Sequence, residues 1–373
     1  MTGGRIVIRV ATSPGEIRAV ACDAAGPLDL AIERPGAPDL VGDLLRGRIT
    51  ARLPALAGSF VRLHDGIDGF LPDSAGGGAA EGTILPVQVT RAAQGGKGPR
   101  LTAVVPAEAM APGPIGLLRR GPGAVARLAA LHPAALIELD DDALFAMLRP
   151  TLGERLRRVT RALDEPLAAA LDALEVPDAE LPGGARMTIH PTPAVTAIDI
   201  DLDRASAGRG SKARSHDQAN RAALPALARQ IRLRNLSGAI VVDLAGMSPR
   251  RRAGLAPEFV RALADDPLAP RFLGFSALGL AEILRPRAHP PLHELCRGAH
   301  AAGLAALRHA AQQAAARAHA PLTLHAPASI VAALQADPVA LAQFAARAGH
   351  KLTLRTMQAP LAAAWRIEGA ARG

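Results

Sequence analysis

The amino-acid sequence predicts a mixed α/β, α+β multidomain protein: an open-sheet unit with a small β-barrel before it. Three patterns predict this. Short strand-like runs punctuated by Gly and Asp crowd residues 39–104. A strand–helix–strand pattern fills Leu181–Pro249 and delivers carboxylates near the strand ends. Helical spacing then alternates with short strands through the tail. At 373 residues the chain can hold two or more domains and a substantial core. Hydrophobic residues make up 49%, which indicates a globular rather than a disordered chain. With 2% aromatics and no Tyr, that core must be built from small and aliphatic side chains.

In chain order, Ile6–Val10 and Ile17–Cys22 read as strands split by the turn Ser13-Pro14-Gly15. Five runs follow: LLRGRITARL, GSFVRL, DGFLP, ILPVQVTRA and PRLTAVV. Five short strands in such a span fit a closed barrel of the OB-fold type. Such barrels offer aromatics for base stacking and basic side chains for the backbone; Phe60, Phe70, Arg91 and Lys97 are the candidates. The Pro/Gly-rich stretch 105–123 reads as a connector. Helical spacing dominates 124–174, with Asp140–Asp142 as a helix start. A helix is expected over Asp217–Leu233, interrupted or kinked at Pro225, with Gly238 as its stop. Two more are expected at 256–265 and 277–285, before a compact α+β tail.

The formal net charge of +9 favours polyanionic partners, nucleic acid or an acidic membrane surface. The positive charge is almost all Arg; Lys97, Lys212 and Lys351 are the only lysines. No apolar run is long enough to span a bilayer, and the amino-terminal stretch lacks the pattern of a signal peptide. Two cysteines, Cys22 and Cys296, exclude a disulfide framework. A reducing cytoplasm is the expected compartment.

The chemistry concentrates in VTAIDIDLD and IVVDL. Strand alternation puts Asp199, Asp201 and Asp203 on one face. Like charges at that spacing repel unless a cation joins them. Asp243 ends the second strand, on the ligand side of an open α/β sheet. Arg204, Arg209, Lys212, Arg214, Arg229, Arg232 and Arg234 are candidates for a phosphate path. Carboxylates beside concentrated positive charge suit a divalent metal working on a phosphodiester. GRGSK and GGKG lack full phosphate-loop spacing, which argues against a nucleotide triphosphatase. His289, His293, Cys296 and His300 have zinc-ligand types, but Pro290 and Pro291 break the helical spacing between them, so zinc is not expected.

These residues resemble the ribonuclease E/G family. The opening RIVIRVATSPGEIRAVACD and the run LRGRITARLPALAGSFVRL resemble that family's start and its embedded ribosomal-S-one-type barrel. LPGGARMTIHPTPAVTAIDID, ARQIRLRNLSGAIVVDLAGMSPRRR and FSALGLAEILRPRAHPPL resemble its catalytic part. The resemblance implies an RNase H-like subdomain in two parts, 1–38 and 124–182, with the OB-fold barrel inserted at 39–104. It implies a reduced sensor or linker at 105–123 and a DNase I-like catalytic subdomain at 183–287. A link at 288–303 and a small C-terminal domain at 304–373 complete it.

By the same resemblance, Asp199 and Asp243 would hold catalytic magnesium, with manganese as the alternative ion, and Asp201 would assist. Phe60, Phe70, Arg91 and Lys97 would bind single-stranded RNA, and Arg120 would match an arginine that senses a 5′-monophosphate end. The implied activity is endonucleolytic hydrolysis leaving 5′-phosphate and 3′-hydroxyl ends. The departures imply a divergent member. Gly121 stands where a Thr is expected, Gly246 replaces an acid, Ala277 replaces an Arg, and the link lacks paired cysteines. Homo-oligomerisation is left open. The competing readings are an RNA-binding protein that has lost efficient cleavage and an adaptor that recruits other decay enzymes.

Overall fold

The structure is a computed structural model and describes residues 5–182, 185–202, 212–316, 321–358 and 365–369. Three strands open it: β1 (Val7–Ser13), β2 (Glu16–Asp23) and β3 (Gly26–Glu33). The barrel strands follow: β4 (Leu44–Leu53), β5 (Gly58–Arg62), β6 (Asp68–Pro72), β7 (Ile84–Arg91) and β8 (Arg100–Thr102). They close in the order β4-β5-β6-β8-β7-β4, compatible with an OB-fold. Leu45, Ile49, Val61, Leu63, Leu71, Val87, Val89 and Leu101 fill the interior. The alternation of these residues with polar ones made the strands legible in the sequence.

The stretch 105–123 is not all connector. It contains β9 (Gly116–Arg119), which pairs with β4 beside the barrel seam. The region 124–174 is also less helical than expected. Helix α1 (Ala124–Leu131) stops before His132-Pro133, and β10 (Leu136–Leu139) then joins β1 in parallel. Ile137 and Leu139 are wholly buried there, so a short apolar run taken for helix is an interior strand. Helix α2 (Asp142–Leu152) is capped by Asp141, which accepts from the Leu144 amide. Strand β11 (Leu156–Arg158) and helix α3 (Glu165–Asp172) follow. The sheet β11-β10-β1-β2-β3 thus draws on both sides of the barrel.

The next sheet has the order β12-β13-β14-β15-β17-β16. Its strands are β12 (Asp178–Leu181), β13 (Ala185–Pro191), β14 (Val195–Leu202), β15 (Gly238–Asp243), β16 (Arg271–Phe275) and β17 (Ala281–Arg285). Helix α4 (Lys212–Leu233) runs from β14 towards β15 and includes Pro225 in its length. Asn235, at φ +49°, makes the left-handed turn out of it; Gly238, at φ +84°, is instead the first residue of the following strand. Helices α5 (Pro249–Ala253) and α6 (Ala256–Leu263) precede β16. The helix expected at 277–285 is strand β17. Gly279, at φ +84°, interrupts any helix, and Ala281, Ile283 and Arg285 alternate inward. Leu224, Leu227, Ile231 and Phe259 pack against Ile198, Ile200, Ile240 and Val242. Phe259 also stacks on Phe272 at 4.8 Å.

Helices α7 (Leu292–Leu295), α8 (Gly298–Ala316), α9 (Ala328–Gln335) and α10 (Pro338–Ala348) and strands β18 (Leu322–Ala326), β19 (Thr353–Thr356) and β20 (Arg366–Gly369) complete the tail. Among the described residues no single helix is long and apolar enough to cross a membrane. The bent pair α9–α10 passes such a test together, but Ile330, Val331, Leu334 and Phe344 from it are core.

The tail is tied to the first sheet through Glu16. This carboxylate is 1% exposed and accepts from Arg18 at 2.8 Å, Arg34 at 3.0 Å and Arg308 at 2.9 Å. Burial alone would push it up; the guanidinium groups of Arg18, Arg308 and Arg34 hold it below the ordinary glutamate range. The Gly15 turn beside it admits nothing larger, since a Cβ there would lie 2.5 Å from Leu304 Cδ2.

Candidate active site

Strand β14 alternates cleanly. Thr196, Ile198 and Ile200 are buried against the helices, while Asp199 and Asp201 stand on the exposed face. Strand β15 runs parallel to it, with Asp199 opposite Asp243 in register. Two carboxylates from adjoining parallel strands therefore project from one face; Asp243 ends β15, the carboxyl-end position where open α/β sheets place their ligands. Asp201 extends the row along β14. On the other side, β13 brings Thr188 opposite Asp199 and Arg186 opposite Asp201.

The Asp199 carboxyl is raised above the ordinary aspartate range. Partial burial is the first cause; the negative charges of Asp201 and Asp243 add to it, against an opposing pull from His190. Arg252 approaches Asp243 at 3.6 Å. It is held there by the Gly279 carbonyl at 2.7 Å, against a glycine whose Cβ would collide with it. The loop after Asp243 is pinned from α4, where Asn220 Nδ2 donates to the Ala245 carbonyl at 2.9 Å.

Magnesium takes hard oxygen ligands and is commonly held by one or two carboxylates, with water and phosphate completing its shell. Asp199 and Asp243 supply such a pair, and a cation would relieve the repulsion that adds to burial in raising Asp199. The donor set fits the ion. Among the described residues no group of three or more His, Cys, Asp or Glu is assembled for a metal. Asp203, Arg204 and Arg209 lie outside the described residues, as do the side chains of Lys212 and Arg214.

Two arginines expected on a phosphate path are instead structural. Arg232 pairs with Asp29 and donates to the Asp265 carbonyl, and Arg234 is buried and donates to the carbonyls of Leu174 and Val176. The four histidine and cysteine candidates also separate. His289 pairs with Asp39 at 2.6 Å and His300 with Asp337 at 2.9 Å. Burial lowers His293 and pushes the Cys296 thiol up to about 12.

On the barrel, Phe60 and Phe70 are register partners on β5 and β6, edge to face with centroids 6.2 Å apart. Gly58 leaves room for Phe70; a Cβ there would lie 2.5 Å from its Cζ. Lys97 is exposed in the β7–β8 connection, bridged to Gln94. Arg91 is half-buried at the end of β7, opposite Arg100. Arg120 is not free: it donates to Oδ2 of the buried Asp43 at 2.7 Å, and the Gly121 amide donates to the other oxygen at 2.6 Å. Reading motifs missed Arg100, whose guanidinium lies 6.0 Å from the Phe70 centroid. The alternation of PRLTAVV carries the signal, because Leu101 is core and Arg100 must then face out.

Fold and site together define a mixed α/β protein with an acid pair on adjoining parallel strands and a small closed barrel. A family model described as the ribonuclease E/G family matches residues 161–288, which hold that acid pair. Through this segment the chain is similar to the ribonuclease E/G family. It is 38% identical to a ribonuclease E of Nostoc sp. over 130 residues, 34% of this chain and 18% of that protein. It is 30% identical to the Escherichia coli ribonuclease E over 164 residues, 43% of this chain and 15% of that protein. It is 36% identical to the Escherichia coli ribonuclease G over 119 residues, 31% of this chain and 24% of that protein. The matched stretch thus spans less than a quarter of the length of each of these relatives.

Proposed function

We propose that the chain is a magnesium-dependent endoribonuclease that cleaves single-stranded RNA. The observation that carries this is the register pairing of Asp199, within β14, with Asp243 at the end of the parallel strand β15, with Asp201 on the same face. The family model matched over that segment and the names of the relatives similar to part of the chain support it. In this reading the sheet holding the pair is the DNase I-like catalytic subdomain. The sheet β11-β10-β1-β2-β3 is the RNase H-like subdomain, with the barrel inserted in it.

Asp199 and Asp243 hold the ion, and Asp201 supplements the site or orients a water. A bound magnesium supplies activation of that water and stabilises charge on the scissile phosphate. The protein's own contribution is positional. Phe60 and Phe70 stack bases, while Arg91 and Lys97 neutralise the backbone. Arg252, fixed at Asp243, orients that carboxylate and balances part of its charge.

A non-catalytic RNA-binding protein is the second reading. It is favoured by the commitment of Arg120 to Asp43, which removes a free guanidinium from the expected sensor position. Incubating a labelled A/U-rich RNA with magnesium or with chelator separates the two. Magnesium-dependent cleavage supports the nuclease. Binding without cleavage under both conditions supports the second reading.

A further inference from the structure

A row of side chains crosses four barrel strands. Phe60, Phe70, Arg100 and Arg91 are successive register partners. A third guanidinium, Arg287, reaches this cluster from the segment after β17. Burial and the positive charges of Arg100 and Arg287 hold the Arg91 guanidinium below the ordinary arginine range. Its Nε is buried and has no hydrogen-bond partner.

The contrast with the rest of the molecule is informative. Arg18, Arg34 and Arg308 share Glu16, Arg285 holds Asp266, and Arg232 holds Asp29. Arg91, Arg100 and Arg287 form no ion pair with any described acid. Like charges brought together repel even in water, and more where solvent is excluded. A fold that gathers three guanidinium groups without a counter-charge leaves a site that an anion completes.

The cluster is also built into the seam between barrel and sheet. The Ala92 amide, just past β7, donates to the Ala288 carbonyl at 2.8 Å, beside Arg287. Arg287 lies on the glycine that begins β15; a Cβ on Gly238 would sit 2.4 Å from its Nη2. Strand β15 ends at Asp243. The site therefore joins the aromatic pair of the barrel to the strand that carries an acid of the proposed centre.

We propose that Arg91, Arg100 and Arg287 together bind a backbone phosphodiester of single-stranded RNA, fixing the strand where it leaves the barrel. The identity of the ligand as RNA rests on the function proposed above; the anion site rests on the cluster itself.

The test is fluorescence anisotropy with a cleavage-resistant 2′-O-methyl A/U-rich strand of about ten nucleotides. Affinity is measured across a salt series for wild type, R100Q, R287Q and R287K, with inorganic phosphate as competitor. R100Q and R287Q should each weaken binding by about tenfold and lower the salt slope by about 0.7. R287K should restore the slope. Arg100 is exposed, so R100Q leaves the fold intact, as a melting curve checks. Unchanged slopes in both Gln variants overturn the inference, as does absence of binding by wild type. Equal competition by millimolar phosphate and by the strand would overturn the assignment to RNA backbone in favour of a free-phosphate site. A separate cleavage assay on unmodified RNA keeps the two claims apart. Reduced slopes without cleavage would leave this site standing and remove the nuclease; cleavage with unchanged slopes would do the reverse.

Discussion

Replacing Asp199 with Asn should stabilise the metal-free protein and abolish most of its response to magnesium. Asp243 sits opposite on the neighbouring strand, about 5 Å away, and Asp201 two residues along, about 7 Å away. At the dielectric of water these distances give repulsions of about 0.8 and 0.6 kcal/mol. Asp199 is exposed, so solvent and salt screening reduce the sum to about 0.5–1 kcal/mol. The sign follows from the raised carboxyl. A raised acid favours the folded state at low pH and costs stability as pH rises from the ordinary aspartate range through its folded value. At neutral pH the metal-free wild type bears that cost and the Asn variant does not. Magnesium at about ten times its dissociation constant should return about 1.4 kcal/mol to wild type alone. Thermal unfolding at low ionic strength reads both effects, with a shift of about 2–4 °C per kcal/mol for a domain of this kind. The order of the two melting temperatures should reverse on adding magnesium. The reasoning is refuted if the variant melts lower without the ion, or responds to it as wild type does.

Asp201→Asn should weaken magnesium binding several-fold by removing one charge from the same face; a titration by calorimetry that gives an unchanged affinity would remove Asp201 from the site. Glu16→Gln should destabilise by about 3–5 kcal/mol, because three arginines lose a buried counter-charge. The wild-type contribution is present above the ordinary glutamate range and is lost as pH falls through the depressed folded value, so acid unfolding followed by circular dichroism should shift less steeply in the variant. Phe60→Ala should cost about 1–3 kcal/mol of RNA binding with little loss of stability, since this ring is 39% exposed; anisotropy and a melting curve on one sample check both.

Much of the barrel was legible because its strands largely alternate and Gly or Asp marks each turn. LLRGRITARL and DGFLP coincide with β4 and β6 residue for residue. The interior strands were harder to read. LIEL and AEILR are short apolar runs whose helical and extended readings differ only by what lies beside them, and β1 and β15 decide that from far along the chain. Strand β9 was hidden in a Pro/Gly-rich stretch because its pairing with β4, not its own composition, makes it a strand. In the site, the alternation of AIDID put Asp199 and Asp201 on one face, but only the β14–β15 register brings Asp243 opposite Asp199. The fates of Arg120, Arg232 and Arg234 were not legible at all. Each is decided by a partner distant in sequence: Asp43, Asp29, and the carbonyls after α3.

The most direct measurement is cleavage of a 5′-monophosphorylated, A/U-rich single-stranded RNA in magnesium, comparing wild type with the Asp199→Ala/Asp243→Ala double variant. The account predicts endonucleolytic products from wild type and none from the double variant, with RNA binding retained in both. Products of equal yield from the two proteins would contradict the assignment of the acid pair, and binding without products from either would contradict the nuclease itself.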